Sequence, residues 1–320
     1  MSLIRKGLLG LATAPGIERI WRPWTRGAIP ILMLHRFSAA GQTGLGMPVD
    51  LLRRQLSELR RRKIRVLPLL DALEQVGTGA RVEDAVVLTV DDGYADFHDL
   101  ALPVFAEFEC PVTVFLVTGF LDHRIRLWWD TVRDALALGG KEHEASARIE
   151  ALKRRSESER VEAVAELARE SGLREEEAAG HIDPLTWDMV RAAATQGVTF
   201  GPHTVTHPIL SRVGDEQARF EIAESWRRVS QETDAAIPVF CYPNGGPSDQ
   251  GPREHALVLQ TGLRAAVTTI PGFISAGTIG SEAGRLALPR FPHPAGMADL
   301  LQVAGGLERL KRRLRHNDER

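Results

Sequence analysis

The chain has 320 residues, 43% of them hydrophobic, enough for one large core or two modest domains. Lys and Arg number 40 against 42 Asp and Glu, and the formal net charge of −2 gives no global case for a nucleic-acid partner. With only two cysteines, Cys110 and Cys241, a disulfide scaffold and a cysteine zinc cluster are both excluded, so any metal must be held by histidine and carboxylate.

At the N-terminus, Arg5 and Lys6 precede Leu8, Leu9 and Leu11, and Ala12-Thr13-Ala14 mimics a signal-peptidase site. The apolar stretch is short and broken by Gly7 and Gly10, and Pro15 would follow the cut. Residues 1–24 therefore read as an amphipathic arm without a cleaved signal peptide, and no run reaches transmembrane length. The expected location is the cytoplasm.

Strands are expected near Ile29–Leu34, Val86–Val90, Val112–Val117, Val198–Gly201, Pro238–Tyr242, Ala265–Thr269 and Leu286–Pro289. Helical patterns alternate with them. Asp50–Lys63 carries Leu52, Leu56 and Leu59 on one face, and Glu216–Thr233 spaces Phe220, Ala223, Trp226 and Val229 as a buried stripe. Alternation implies a parallel sheet. Seven strands with polar residues at their C-terminal ends suggest a barrel over residues 25–296, with its chemistry at those ends.

Between Lys141 and Gly180, 19 of 40 residues are charged, so a solvated helical insertion over about 121–185, without a core of its own, is expected. At its leading edge, Trp128 and Trp129 beside Asp130 would suit either a sugar-stacking platform or a pin holding the insertion to the barrel. The end of the chain, 297–320, reads as a basic helix or tail with Lys311, Arg312, Arg313 and Arg315 in a run. Leu307, Leu310 and Leu314 share a face, which fits a solvated helix docked on the barrel or peripheral contact with a membrane.

Three stretches carry chemistry. Leu88-Thr89-Val90-Asp91-Asp92-Gly93 takes two carboxylates to the tip of a buried-looking strand, where charge is costly unless paired or metal-bound. In Gly201-Pro202-His203-Thr204-Val205-Thr206-His207-Pro208, two imidazoles four residues apart sit at another strand end, and Pro208 favours a tight turn. Phe240-Cys241-Tyr242-Pro243-Asn244-Gly245-Gly246 runs a strand into a turn that could present backbone N–H groups to a developing oxyanion, though Pro-Asn-Gly is also an ordinary turn. His35 and the Pro289-Arg290-Phe291-Pro292-His293 run stand at two further strand ends.

Together these motifs resemble the polysaccharide deacetylases, the NodB-homology domain of carbohydrate esterase family 4, over about Pro30 to His293. Their style is similar to the branch acting on poly-N-acetylglucosamine. The resemblance implies a distorted seven-stranded (β/α) barrel, an α/β fold of TIM-like kind. It also implies hydrolysis of an N-acetylated sugar in a polysaccharide or glycolipid, releasing acetate.

By the same resemblance, Asp91 matches the base, and Asp92, His203 and His207 match the ligands of a divalent metal, zinc first, with cobalt, nickel or manganese as alternatives. The Tyr242, Pro243 and Asn244 loop matches the oxyanion element. The arginine that in the family pairs with the base is replaced by Cys241, leaving Arg290 as its substitute. For the general acid, His35 in Leu-His-Arg-Phe matches an early motif of the poly-N-acetylglucosamine branch and is preferred over His293. Two other readings are kept: hydrolysis of a small amide or imide, and an inactive carbohydrate-binding protein.

Overall fold

The computed structural model describes residues 27–42, 46–80, 82–174 and 183–318. The arm over 1–24 and the signal-peptide reading lie outside these residues. Seven strands build the centre: β1 Ala28–Leu34, β2 Ala85–Val90, β3 Thr113–Leu116, β4 Thr199–Pro202, β5 Val239–Cys241, β6 Ala265–Val267 and β7 Phe291–Pro292. All six residues of β2 are buried, the continuous apolar run of a parallel strand covered on both faces.

Parallel pairing runs from β1 to β2, β3 and β4. A bridge from Phe200 to Ala236 leads on to β5, which pairs with β6. A second bridge, Val267 to Leu288, and the pairing of β7 with β1 close the ring. The ring is a distorted (β/α) barrel, because two of its seams hang on isolated bridges. Phe273–Ser275 adds an antiparallel edge to the start of β1.

Around the strands lie α1 Val49–Arg61, α2 Leu69–Gly77, α3 Leu102–Glu107, α4 Trp128–Leu138, α5 Ala145–Leu152, α6 Glu157–Ser171, α7 Trp187–Ala194, α8 Asp215–Glu232, α9 Pro252–Gln260, α10 Met297–Ala304 and α11 Leu307–Asp318. On α1, Leu52, Leu56 and Leu59 are buried as their spacing predicts. A Ser156–Glu159 capping box starts α6, and Gly172 in the left-handed conformation stops it.

Three expectations change. The insertion, α4 to α6, has a small core of its own made by Val132, Leu136, Ala145, Ile149, Leu152, Ala163 and Val164. Each helix contributes too few apolar residues for a visible stripe, and only their sum closes a core. On α8 the buried positions are Ala218, Glu221, Ile222, Ser225 and Val229, while Phe220 is exposed, so the helix is rotated from the expected phase. The closing strand is Phe291–Pro292 and not the expected Leu286–Pro289, of which only Leu288 makes a bridge. Residues 297–318 form two helices, and Leu300, Leu301, Val303 and Ala304 of α10 join the main core. The basic α11 docks, with Arg312 donating to the Pro271 carbonyl (2.9 Å) and Lys311 to Gln302 (2.7 Å). No helix among the described residues is long and apolar enough to cross a membrane.

Candidate metal and acid–base site

The period of two in a strand sets the first half of the site. Ile29, Ile31, Val87, Val239 and Leu288 share one apolar cluster. Continuing each row by steps of two brings His35, Asp91, Cys241 and Arg290 to the same end of the barrel. Met33 is in register with Thr89, and the Asp91 N–H donates to the Leu34 carbonyl (2.9 Å). Four chain segments far apart in sequence therefore converge by alternation alone.

Asp91 is gripped by Arg290, whose two terminal nitrogens donate to the two carboxylate oxygens at 2.7 Å each. Arg290 is fully buried and also donates to the Thr268 carbonyl (2.9 Å), Thr89 Oγ1 (3.1 Å) and Cys241 Sγ (3.2 Å). Burial pushes the Asp91 carboxyl up, but the guanidinium outweighs it and holds the group down at about 2. His35 Nε2 lies 3.9 Å from Asp91 Oδ2, with 43% of its side chain exposed at the rim.

Asp92 points elsewhere because its backbone is left-handed (φ 77°), followed by Gly93 at φ 88°. A side chain at position 93 would also press on Leu121 at 2.9 Å, so glycine is required there. Thr204, His207 and Asn244, in the loops of the same rim, are likewise left-handed non-glycine residues (φ 68°, 57° and 60°). Such strain, roughly 1–3 kcal/mol each, persists only where surrounding contacts over-determine it.

Asp92 Oδ1 lies 3.6 Å from His203 Nε2 and 3.7 Å from His207 Nε2, and the two nitrogens are 3.1 Å apart. Ligands of a tetrahedral zinc at about 2.05 Å are separated by about 3.3 Å, so the triangle matches a metal's coordination edge. His203 Nδ1 donates to the Cys241 carbonyl (2.7 Å), which leaves the Nε2 lone pair facing the triangle. Burial, then the carboxylates of Asp91 and Asp130, push Asp92 well above the usual range. Burial pulls His203 down to about 4 and His207 well below its ordinary value. Asp92, His203 and His207 offer one carboxylate oxygen and two imidazole nitrogens close enough together to hold a metal ion.

Several supports were not read from the sequence. Glu221, buried on α8, accepts from the N–H groups of Val205 (2.7 Å) and Thr206 (2.9 Å), fixing the turn between the histidines. Its signal was a single acid on the apolar face of α8, visible only once the helix has its correct phase. Tyr94 and Asp130 are also buried here, with the Tyr94 hydroxyl donating to Asp130 Oδ2 (2.6 Å).

The other expected site residues are placed as follows. The Tyr242 side chain packs against Phe240 and His255, and its N–H is bonded to the Val267 carbonyl (3.2 Å). Pro243 has no N–H, so Asn244 is the residue of this loop left to present one. Asp249 braces the loop by accepting from Asn244 Nδ2 and from the Gly246 N–H (2.8 Å).

Trp128 and Trp129 meet edge to face (5.5 Å) and both pack against the insertion core, but they reach different neighbours. Trp128 packs in the insertion core under the Arg160 guanidinium (4.8 Å), beside a cleft of ≈ 750 Å³ that also touches Thr206. Trp129 sets its ring 4.6 Å from that of His207. For His293, the backbone N–H pairs with the Met33 carbonyl (2.9 Å), while its ring lies against the Pro294 backbone.

The polysaccharide deacetylase family profile matches residues 78–265, a span that holds Asp91, Asp92, His203, His207 and the Tyr242–Asn244 loop but neither His35 nor Arg290. Among solved structures, the chain is similar to the Streptococcus pyogenes deacetylase PplD in complex with acetate, at 19% identity and a TM-score of 0.61, covering 87% of this chain and 97% of that one. It is also similar to IcaB from Ammonifex degensii (14%, TM-score 0.58, 87% and 97% covered). The deacetylase domain of BpsB from Bordetella bronchiseptica is a third (16%, TM-score 0.53, 83% and 97% covered). These likenesses show the shared fold. No curated protein matches the chain. With more than half of its 320 residues matched to the family and the barrel in place, the chain belongs to the polysaccharide deacetylase family and is a hydrolase of carbon–nitrogen bonds.

Proposed function

We propose that the protein removes the acetyl group from an N-acetylated sugar in a polysaccharide or glycolipid, releasing acetate, with a divalent cation held by Asp92, His203 and His207. The observation that carries this is the division of labour between adjacent carboxylates, Asp91 paired with Arg290 and Asp92 facing two imidazole nitrogens. When bound, the cation supplies Lewis-acid polarisation and a lowered water pKa, with zinc favoured and cobalt, nickel or manganese as alternatives.

The chain's own residues do the rest. Asp91 is ionised at neutral pH and held in one orientation by Arg290, so it accepts the proton of the attacking water. A carboxylate with a pKa of about 2 is a weak base, which makes that transfer depend on an acidified water. The Asn244 N–H serves the developing oxyanion. His35, half exposed 3.9 Å from Asp91, gives a proton to the leaving sugar amine. Burial lowers both imidazoles, so the preference for His35 over His293 rests on its place beside Asp91. Trp129 at His207 is the better placed of the two tryptophans for stacking on a sugar.

In this reading residues 25–296 form the barrel unit with the insertion built into it, and α10 belongs with the barrel as well. The place of action that accompanies it is the cytoplasm or the inner membrane face, on a lipid-linked precursor, with the basic α11 as its support; fractionation of the untagged chain tests this. The activity itself is tested by acetate release from N-acetylglucosamine oligomers, run beside a panel of small amides and imides. Asp91→Asn should abolish release and leave metal content intact. Turnover of small amides alone would favour the other hydrolase reading, and glycan binding without turnover under any divalent metal would favour a binding protein.

A further inference from the structure

The two imidazoles facing Asp92 are not held alike. His203 is oriented by a hydrogen bond from Nδ1 to the Cys241 carbonyl (2.7 Å). Among the described residues, no other residue hydrogen-bonds the buried His207 Nδ1, which has only its own backbone beside it. What His207 has instead is the Trp129 ring at 4.6 Å, inclined by 73°.

Trp129 is in turn fixed. Its indole N–H donates to the Tyr94 hydroxyl (2.8 Å), which donates to Asp130 Oδ2 (2.6 Å), while Arg133 donates to Asp130 Oδ1 (3.0 Å). The Arg36 guanidinium lies over the Tyr94 ring (4.1 Å). Both ends of the insertion reach this point: Trp129 and Asp130 open α4, and at the exit the Leu185 N–H donates to the Gly93 carbonyl (2.8 Å) and the Ala95 N–H to the Asp183 carbonyl (2.8 Å). The insertion thus clamps the four residues that follow Asp91.

We propose that the insertion is a positioning element of the metal site: Trp129, locked by Tyr94 and Asp130, does for the His207 ring what the Cys241 carbonyl does for His203. This rests on the metal reading above and adds to it a role for residues outside the ligand set. Groups that orient metal-binding imidazoles typically change metal affinity by about 10–100-fold when removed.

The test is zinc affinity of the metal-free protein, measured against a chelating dye, with circular dichroism and thermal unfolding of the metal-free variants as the control for folding. Trp129→Ala should weaken zinc binding by about 10–100-fold, and Trp129→Phe, which restores a ring without the N–H, should recover part of the loss. Tyr94→Phe leaves both rings in place and removes only the hydroxyl, and it too should weaken zinc; it carries the test if Trp129→Ala does not fold. Folded variants that bind zinc within twofold of wild type would overturn the inference and leave the metal reading standing. A wild-type protein that binds no zinc, cobalt, nickel or manganese would overturn both together.

Discussion

Asp91 and Arg290, 199 residues apart in sequence, meet through two hydrogen bonds of 2.7 Å each in a fully buried pair. The expected partner of this carboxylate in the family is an arginine at the position of Cys241. Here the small Cys241 side chain leaves space, and the guanidinium arrives from the segment before β7, donating to Cys241 Sγ on its way. Breaking such a pair leaves a buried uncompensated charge, so Arg290→Ala should destabilise the fold by about 3–5 kcal/mol and lower activity with it. Urea unfolding checks the first effect and acetate release the second.

The same pair sets an acid-side signature. The Asp91 carboxyl is lowered from 3.8 to about 2, so the pair's contribution to stability is present above pH 3.8 and fades as pH falls towards 2. Between neutral pH and pH 3, wild type should lose more stability than an Arg290→Met variant, in which burial without the guanidinium raises the Asp91 carboxyl and removes that loss. Urea midpoints at the two pH values provide the comparison, and parallel losses would contradict it.

His35 and His293 make opposite forecasts. Removing a general acid costs about 10²–10⁴-fold, and His35→Ala should fall in that range for acetate release. His293→Ala, whose backbone rather than imidazole is tied to β1, should stay within a few-fold of wild type. Steady-state kinetics on the same oligomer decides between the two histidines.

Glu221 holds the turn carrying His203 and His207 by its bonds to Val205 and Thr206. Glu221→Ala orphans two backbone N–H groups and should cost about 1–3 kcal/mol, with a looser metal site as a consequence. Thermal unfolding and metal content after dialysis both report it.

The rotated phase of α8 has its own check. Ile222→Ala should cost about 2–5 kcal/mol, as a buried large-to-small change does. Phe220→Ser, at an exposed position, should stay within about 0.5 kcal/mol of wild type.

Much of this was legible in the sequence, for reasons visible in particular residues. Six of the seven strands stood out because parallel strands such as Ala85–Val90 are covered on both faces and read as continuous apolar runs, whereas the closing strand, Phe291–Pro292, is too short and proline-bearing to announce itself. Strand alternation then carries His35 and Asp91 to one rim without further information. Other features depend on relations that sequence spacing does not encode. The core of the insertion is pooled from three helices, each too weakly patterned to announce it. The α8 phase turned on whether Phe220 or Ile222 faces inward, which the packing of Glu221 against the histidine turn decides. That Trp129, and not Trp128, faces His207 follows from the first turn of a helix, where adjacent residues face about 100° apart.

The most direct measurement of the central claim pairs metal analysis of the purified protein with acetate release from an N-acetylglucosamine oligomer, before and after chelation. The account predicts about one divalent ion per chain, loss of acetate release on its removal, and recovery on adding zinc. It predicts further that His203→Ala and His207→Ala lose the ion, whereas Asp91→Asn keeps it and is inactive. Full acetate release from a metal-free protein, or from Asp91→Asn, would contradict it.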